Sequence, residues 1–165
     1  MRARGKHQAS RLFFHLTWHT YRNEPAISAT AAAIVTDSVR RAARRTRSLV
    51  LAQGVLSNHI HLLIRCTPDA TISAFVREAK SESSRRVGKT LQWQRGYFAD
   101  SISHSHVIRV RRYIAAQFTR HPDKIPPGQR APPPCRGATT RTVVTVSLGC
   151  GNQPRRPSGV TDPCF

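Results

Sequence analysis

At 165 residues the chain suits one small domain with an appendage, and 27 Lys and Arg against 8 Asp and Glu leave it at +19. A single-sign field of that strength opposes compaction unless an anion offsets it, which makes nucleic acid the expected partner. No run of about 18 apolar residues exists to span a bilayer, no basic amphipathic helix suits a membrane surface, and no apolar segment of signal-peptide type follows the basic N-terminus. The expected location is the cytoplasm. Cys66, Cys135, Cys150 and Cys164 follow no zinc-ligand spacing and read as incidental thiols.

Residues 1–10 carry Arg2, Arg4 and Lys6 and read as a basic flexible arm. Residues 11–21 (RLFFHLTWHTY) are dense in β-favouring side chains and predict a first strand. His15, Thr17 and His19 alternate on one face of it, with Phe14, Leu16 and Trp18 on the other. A histidine there can approach a metal site; the simpler reading is polar side chains on an accessible sheet face. After a turn at 22–25, apolar residues recur at helical spacing over 28–46. The end of that helix carries Arg40, Arg41, Arg44, Arg45 and Arg47, more cations than the helix dipole needs.

Residues 48–55 predict a second strand, joined by a short link to the stretch 56–66 (LSNHIHLLIRC), a third strand closed by Thr67-Pro68-Asp69. On it His59 and His61 share one face, while Ile60 and Leu62 face the core. Two imidazoles fixed side by side offer two neutral nitrogens to one divalent metal, or are simply two surface histidines on a half-buried strand. A second helix is predicted over 71–87, with Thr71 or Asp69 as N-cap, and a fourth strand over 91–103, with a bulge at Gly96. A third helix is predicted from His104 or Ser105 to about Thr119. On it Tyr113 and Gln117 are four apart and flank the apolar stripe of Val107, Val110, Ile114 and Phe118.

The order β-α-β-β-α-β-α predicts an α+β fold: a ferredoxin-like split βαβ sandwich with one extra C-terminal helix, spanning residues 11–121. Residues 122–165 hold nine of the 11 prolines and read as a disordered Pro/Arg-rich tail, of the kind a frameshift leaves.

The segments SNHIHLLIRC, KSESSRRV, QWQRGYFADSISHS and RRYIAAQFTRH, in this order, resemble the single-tyrosine HUH transposases, the insertion-sequence-200-like enzymes that include the REP-associated tyrosine transposases. The resemblance implies cleavage and joining of single-stranded DNA. It makes Tyr113 the nucleophile and His59, His61 and Gln117 the ligands of Mg²⁺ or Mn²⁺. It also implies single-stranded or hairpin DNA as partner, and a homodimer. Candidate DNA contacts are Arg40, Arg41, Arg44, Arg45, Lys80, Arg85, Arg86 and Arg112. Trp93 and Tyr97 either stack on unpaired bases or, more simply for Trp93, pack on the fold. Ser57 stands where relatives usually have Pro, and Arg120 replaces one of a His pair. The alternative is therefore a catalytically inactive copy that only binds nucleic acid. A structural Zn²⁺ site ranks lowest, since four closed ligands are missing.

Overall fold

The computed structural model describes residues 11–130. Four strands form one antiparallel sheet in the order β2-β3-β1-β4: β1 (Leu12–His19), β2 (Ser48–Val55), β3 (His59–Cys66) and β4 (Phe98–Ile102). Helices α1 (Ala29–Arg45) and α2 (Ile72–Val87) cover one face, and the short helices α3 (Val107–Ala115) and α4 (Gln117–Arg120) follow β4. This is the split βαβ arrangement with a C-terminal helical addition.

Period-two patterning decides which side is core. Leu16 and Trp18 of β1 lie opposite Leu62 and Ile60 of β3, and all four are buried under α1 and α2. The helices contribute Val35, Val39 and Ala42 from α1 and Phe75, Val76 and Ala79 from α2, spaced at three and four residues. Each large side chain so buried contributes about 1.5–3 kcal/mol. Ser28 caps α1 by accepting from the Ala31 N–H at 3.2 Å. Thr71 stands at the N-cap of α2, but its hydroxyl makes no capping bond.

Several boundaries differ from expectation. The third strand starts at His59, because residues 56–58 form the hairpin link, with the Leu56 N–H donating to His59 O at 2.8 Å. The fourth strand is confined to Phe98–Ile102. Residues 91–97 run irregularly, touching the sheet by a bridge between Trp93 and Thr20. The register irregularity lies in β2 between Val50 and Ala52, not at Gly96. The third helix breaks at Ala116 (φ −85°, ψ 3°). There the Gln117 side-chain amide donates to Tyr113 O at 3.1 Å, the carbonyl its own backbone N–H would take in an unbroken helix.

Residues 122–130, expected as the start of the tail, return to the domain. The Ser57 N–H donates to Lys124 O at 2.8 Å, and the Ala29 N–H to Pro127 O at 2.9 Å. The second bond satisfies one of the first-turn donors of α1. The arm at 1–10 and the tail from 131 to 165 lie outside the described residues.

Helix α3 lies across the sheet face opposite α1 and α2, and Gly54 of β2 permits its close approach. A Cβ at Gly54 would sit 3.3 Å from Ile114 O and 3.4 Å from Ile114 Cγ2. Gly54→Val is therefore expected to destabilise by about 1–3 kcal/mol in chemical denaturation through overpacking. Amide exchange should rise over α3 while β1 and β3 stay protected. Equal protection in α3 would refute this role.

Candidate active site

The face left uncovered by α1 and α2 gathers most of the histidines. In the β1–β3 register His19 faces His59 and Thr17 faces His61. The His59 and His61 rings are 5.0 Å apart, nearly perpendicular. His15 stacks on His61 at 5.3 Å, and His19 on His59 at 5.0 Å. His121, just past α4, approaches His59 at 6.1 Å. His59 and His61 are only 5% and 7% exposed, because α3 closes over this side. The strand is thus covered on both faces rather than half-buried.

Tyr113 comes to this cluster from α3. Its ring lies 5.7 Å from His61 and 5.8 Å from His15, edge-on to both. The side chain remains 36% exposed, so the ring packs inward while solvent keeps access. The Arg120 guanidinium sits 5.2 Å over the ring centroid. Arg112 is exposed on α3.

The hydrogen bonds set the His59 tautomer. Asn58 Oδ1 lies 2.7 Å from His59 Nδ1, while Asn58 Nδ2 donates to Asn23 Oδ1 at 3.0 Å. A carbonyl oxygen only accepts, so the His59 proton sits on Nδ1 and Nε2 keeps its lone pair. His61 Nδ1 lies 3.0 Å from Thr17 Oγ1 and 3.2 Å from His15 Nε2. His61 Nδ1 can donate to the Thr17 hydroxyl, and in that tautomer its Nε2 is free as well. Burial, then the neighbouring His19, Lys124 and His121, holds His59 at a pKa of about 4. Burial, then the surrounding histidines, holds His61 at about 3. Both imidazoles are neutral at pH 7, the form that binds metals.

These shifts carry a pH prediction. Both folded values lie below the ordinary 6.5, so unfolding takes up protons in acid. Stability is fully present above about pH 6.5 and is lost as pH falls toward 4 and then 3. With a chelator present, unfolding free energy should drop by roughly 2–4 kcal/mol between pH 7 and 5. His59→Gln/His61→Gln should flatten that slope. An unchanged slope would contradict the burial argument.

Gln117 follows the Ala116 break and is fully buried, whereas Tyr113 one turn earlier is 36% exposed. Its Nε2 is satisfied by Tyr113 O, but its buried Oε1 has no partner. An orphaned buried acceptor costs about 1–3 kcal/mol. Among the described residues, no group of three His, Cys, Asp or Glu side chains is arranged to hold a metal ion. A cation here therefore needs an oxygen donor of another kind. Two free imidazole nitrogens and an unpartnered amide oxygen fit a divalent ion that accepts mixed ligands.

The basic residues distribute differently from the expected single patch. Arg40, Arg41, Arg44, Arg45, Arg85 and Arg86 belong to the α1–α2 layer, across the sheet from the histidines. Arg41 and Arg86 both pair with Asp37, at 2.9 and 2.7 Å, and hold its carboxyl below the usual range. Arg85 pairs with Glu82 at 2.9 Å, and Arg45 with Glu78. Lys80 is occupied by backbone carbonyls of residues 94–96. Arg40 and Arg44 remain exposed and make no ion pair among the described residues. Trp93 packs edge-on to Trp18 at 6.2 Å and remains partly exposed.

Comparison with known proteins settles the family. The model for the IS200-like transposases matches residues 8–117. The chain belongs to this family. The ISDra2 transposase TnpA of Deinococcus radiodurans is 27% identical over 130 residues, covering 71% of this chain and 91% of that protein. Two solved structures share the fold. A Deinococcus radiodurans protein assigned as a transposase aligns with TM-score 0.54 at 24% identity, over 70% of this chain and 98% of that one. A REP-associated tyrosine transposase bound to a REP hairpin aligns with TM-score 0.55 at 18% identity, over 73% of each chain. IS200-like membership places the chain among DNA transposases. None of the described helices is long and apolar enough to cross a membrane.

Proposed function

We propose that this IS200-like transposase cleaves and rejoins single-stranded DNA through a covalent link to Tyr113. The supporting observation is the 36% exposed tyrosine, its ring 5.7 Å from His61 and 5.8 Å from His15. The Tyr113 hydroxyl attacks the scissile phosphorus and gives its proton to solvent. The bond from phosphorus to the 3′ oxygen breaks, leaving a 5′-phosphotyrosine and a free 3′-OH. An incoming 3′-OH reverses the step and joins a new strand, with no ATP required. Arg120, already over the ring, offsets charge developing on the phenolic oxygen. His59 and His61, with Gln117 Oε1, would hold Mg²⁺ or Mn²⁺, and Asn58 and Thr17 orient the two imidazoles. When bound, the cation polarises the phosphate and offsets its charge.

Hairpin DNA is the proposed substrate form, by analogy with the hairpin-bound relative. We further propose a homodimer working on DNA in the cytoplasm. Light scattering should give twice the 18.4 kDa chain mass; a single mass would remove the dimer and leave the chemistry. The test of function is incubation with end-labelled single-stranded oligonucleotides bearing hairpins, with Mn²⁺ or Mg²⁺. A denaturant-resistant protein–DNA adduct supports the reading. Salt-sensitive binding without adduct would replace it with an inactive nucleic-acid-binding protein.

A further inference from the structure

A cleft of about 430 Å³ opens between α2 and residues 93–97, away from the histidines. That volume falls among small-ligand sites of about 300–1,000 Å³. One wall is the outer stripe of α2, including Arg77, Ser81 and Ser84. The other is Trp93, Arg95 and Tyr97. No carboxylate lines it.

The cleft is held in shape by the fold. Lys80 Nζ donates to Gln94 O at 2.8 Å and Gly96 O at 2.7 Å, with Arg95 O at 3.4 Å, and so fastens the loop to α2. Burial lowers the Lys80 pKa, and carbonyls rather than acids surround its charge. Trp93 is fixed by donation from Nε1 to Ser83 Oγ at 2.9 Å and by its edge-on contact with Trp18. Its polar edge is thus spent inside the domain. Tyr97 stays 40% exposed. Arg77 and Arg95 are exposed and make no ion pair among the described residues, unlike four of the guanidiniums on the α1–α2 layer.

Aromatic surface beside free guanidiniums, with no acid nearby, complements a ligand that has a π face and a phosphate. We propose that this cleft binds an unpaired nucleotide of the single-stranded substrate. The base stacks on the Trp93–Tyr97 wall and the backbone phosphates meet Arg77 and Arg95. The proposal rests on the single-stranded-DNA reading above. It adds a second anchor remote from the scissile bond. Tyr97 leads directly into β4, the edge strand beside β1, and among the described residues no further strand lies beyond it. A few nucleotides passing over that edge would connect the cleft to Tyr113.

The test uses the full chain and a fluorescent single-stranded oligothymidine carrying one 5-iodouracil. Photocross-linking should attach the probe to the peptide containing Trp93 and Tyr97. Tyr97→Ala should weaken binding about tenfold, the effect of one lost stack. Arg77→Ala/Arg95→Ala should reduce the slope of log affinity against log salt by about 1 to 1.5, as two lost phosphate contacts require. Unchanged melting temperatures would show that both variants fold. Wild-type binding with both variants within twofold, and cross-links elsewhere, would overturn the cleft and leave the DNA reading intact. No binding by the wild type to the single strand or to a hairpin would overturn both.

Discussion

Tyr113→Phe is expected to abolish the covalent protein–DNA adduct and to lower strand cleavage by at least about 10³-fold, the scale of losing a nucleophile outright. The substitution removes one oxygen from a side chain that is 36% exposed, so the fold has little to lose. The ring keeps its edge-on contacts with His15 and His61 and its place under Arg120. Melting temperature and DNA affinity should therefore stay near wild type. That separation matters, because a merely structural tyrosine would change stability rather than chemistry. If Tyr113→Phe still formed an adduct, another nucleophile would be acting and the proposed role would fall. Arg120→Ala should be milder, lowering the rate without removing the adduct, since a cation over the ring is worth about 0.5–2 kcal/mol.

Local patterning carried most of the fold. Alternation in β1 and β3 fixed the core face, so Leu16, Trp18, Ile60 and Leu62 could be assigned before the sheet was known. The same alternation put His15, His19, His59 and His61 together on the other face. What escaped the sequence depends on contacts between distant residues. The pairing of Arg86 with Asp37 joins α2 to α1 across 49 positions, and that of Arg45 with Glu78 spans 33. Only Arg41 with Asp37, at four-residue spacing, was readable along one helix. An arginine cluster therefore looked like a free patch when much of it is neutralised by partners elsewhere.

The same reason explains the late part of the chain. Nothing local to 104–119 announces the break at Ala116, which follows from Gln117 turning beneath the helix toward Gly54. Proline at 122, 126 and 127 suggested a tail, yet residues 122–130 find backbone partners at Ser57 and Ala29. Proline excludes helix and sheet interior there, but it does not exclude a docked irregular segment. Asn58 was visible beside the His pair, but its role needed the 2.7 Å contact with His59 and the support of Asn23. Alternation placed Thr17 on the histidine face, but its contact with His61, like the approach of His121 to His59, needed tertiary geometry. Histidine spacing across the strands was the available signal for the pair itself, not for these.

Chelation should produce the second large effect. Treatment with EDTA is expected to reduce cleavage at least about 10³-fold while leaving salt-sensitive DNA binding in place, with recovery on adding Mn²⁺ or Mg²⁺. With His61 a ligand as proposed, His61→Ala should reproduce that loss and not recover. Among the described residues, no third His, Cys, Asp or Glu is placed to substitute. Gln117→Leu separates the two meanings of the orphaned Oε1. If that oxygen serves a cation, the variant weakens Mn²⁺ binding by calorimetry, yet the metal-free protein is as stable as wild type or more so, since an unsatisfied buried acceptor has gone. If the amide serves chiefly the Tyr113 carbonyl at the helix break, stability falls and Mn²⁺ affinity does not. Asn58→Ala should lie between, weakening metal affinity about 10- to 100-fold by releasing the His59 tautomer. Cleavage indifferent to EDTA would sink the metal reading altogether, and would leave Tyr113 and the neighbouring cations to carry the chemistry alone.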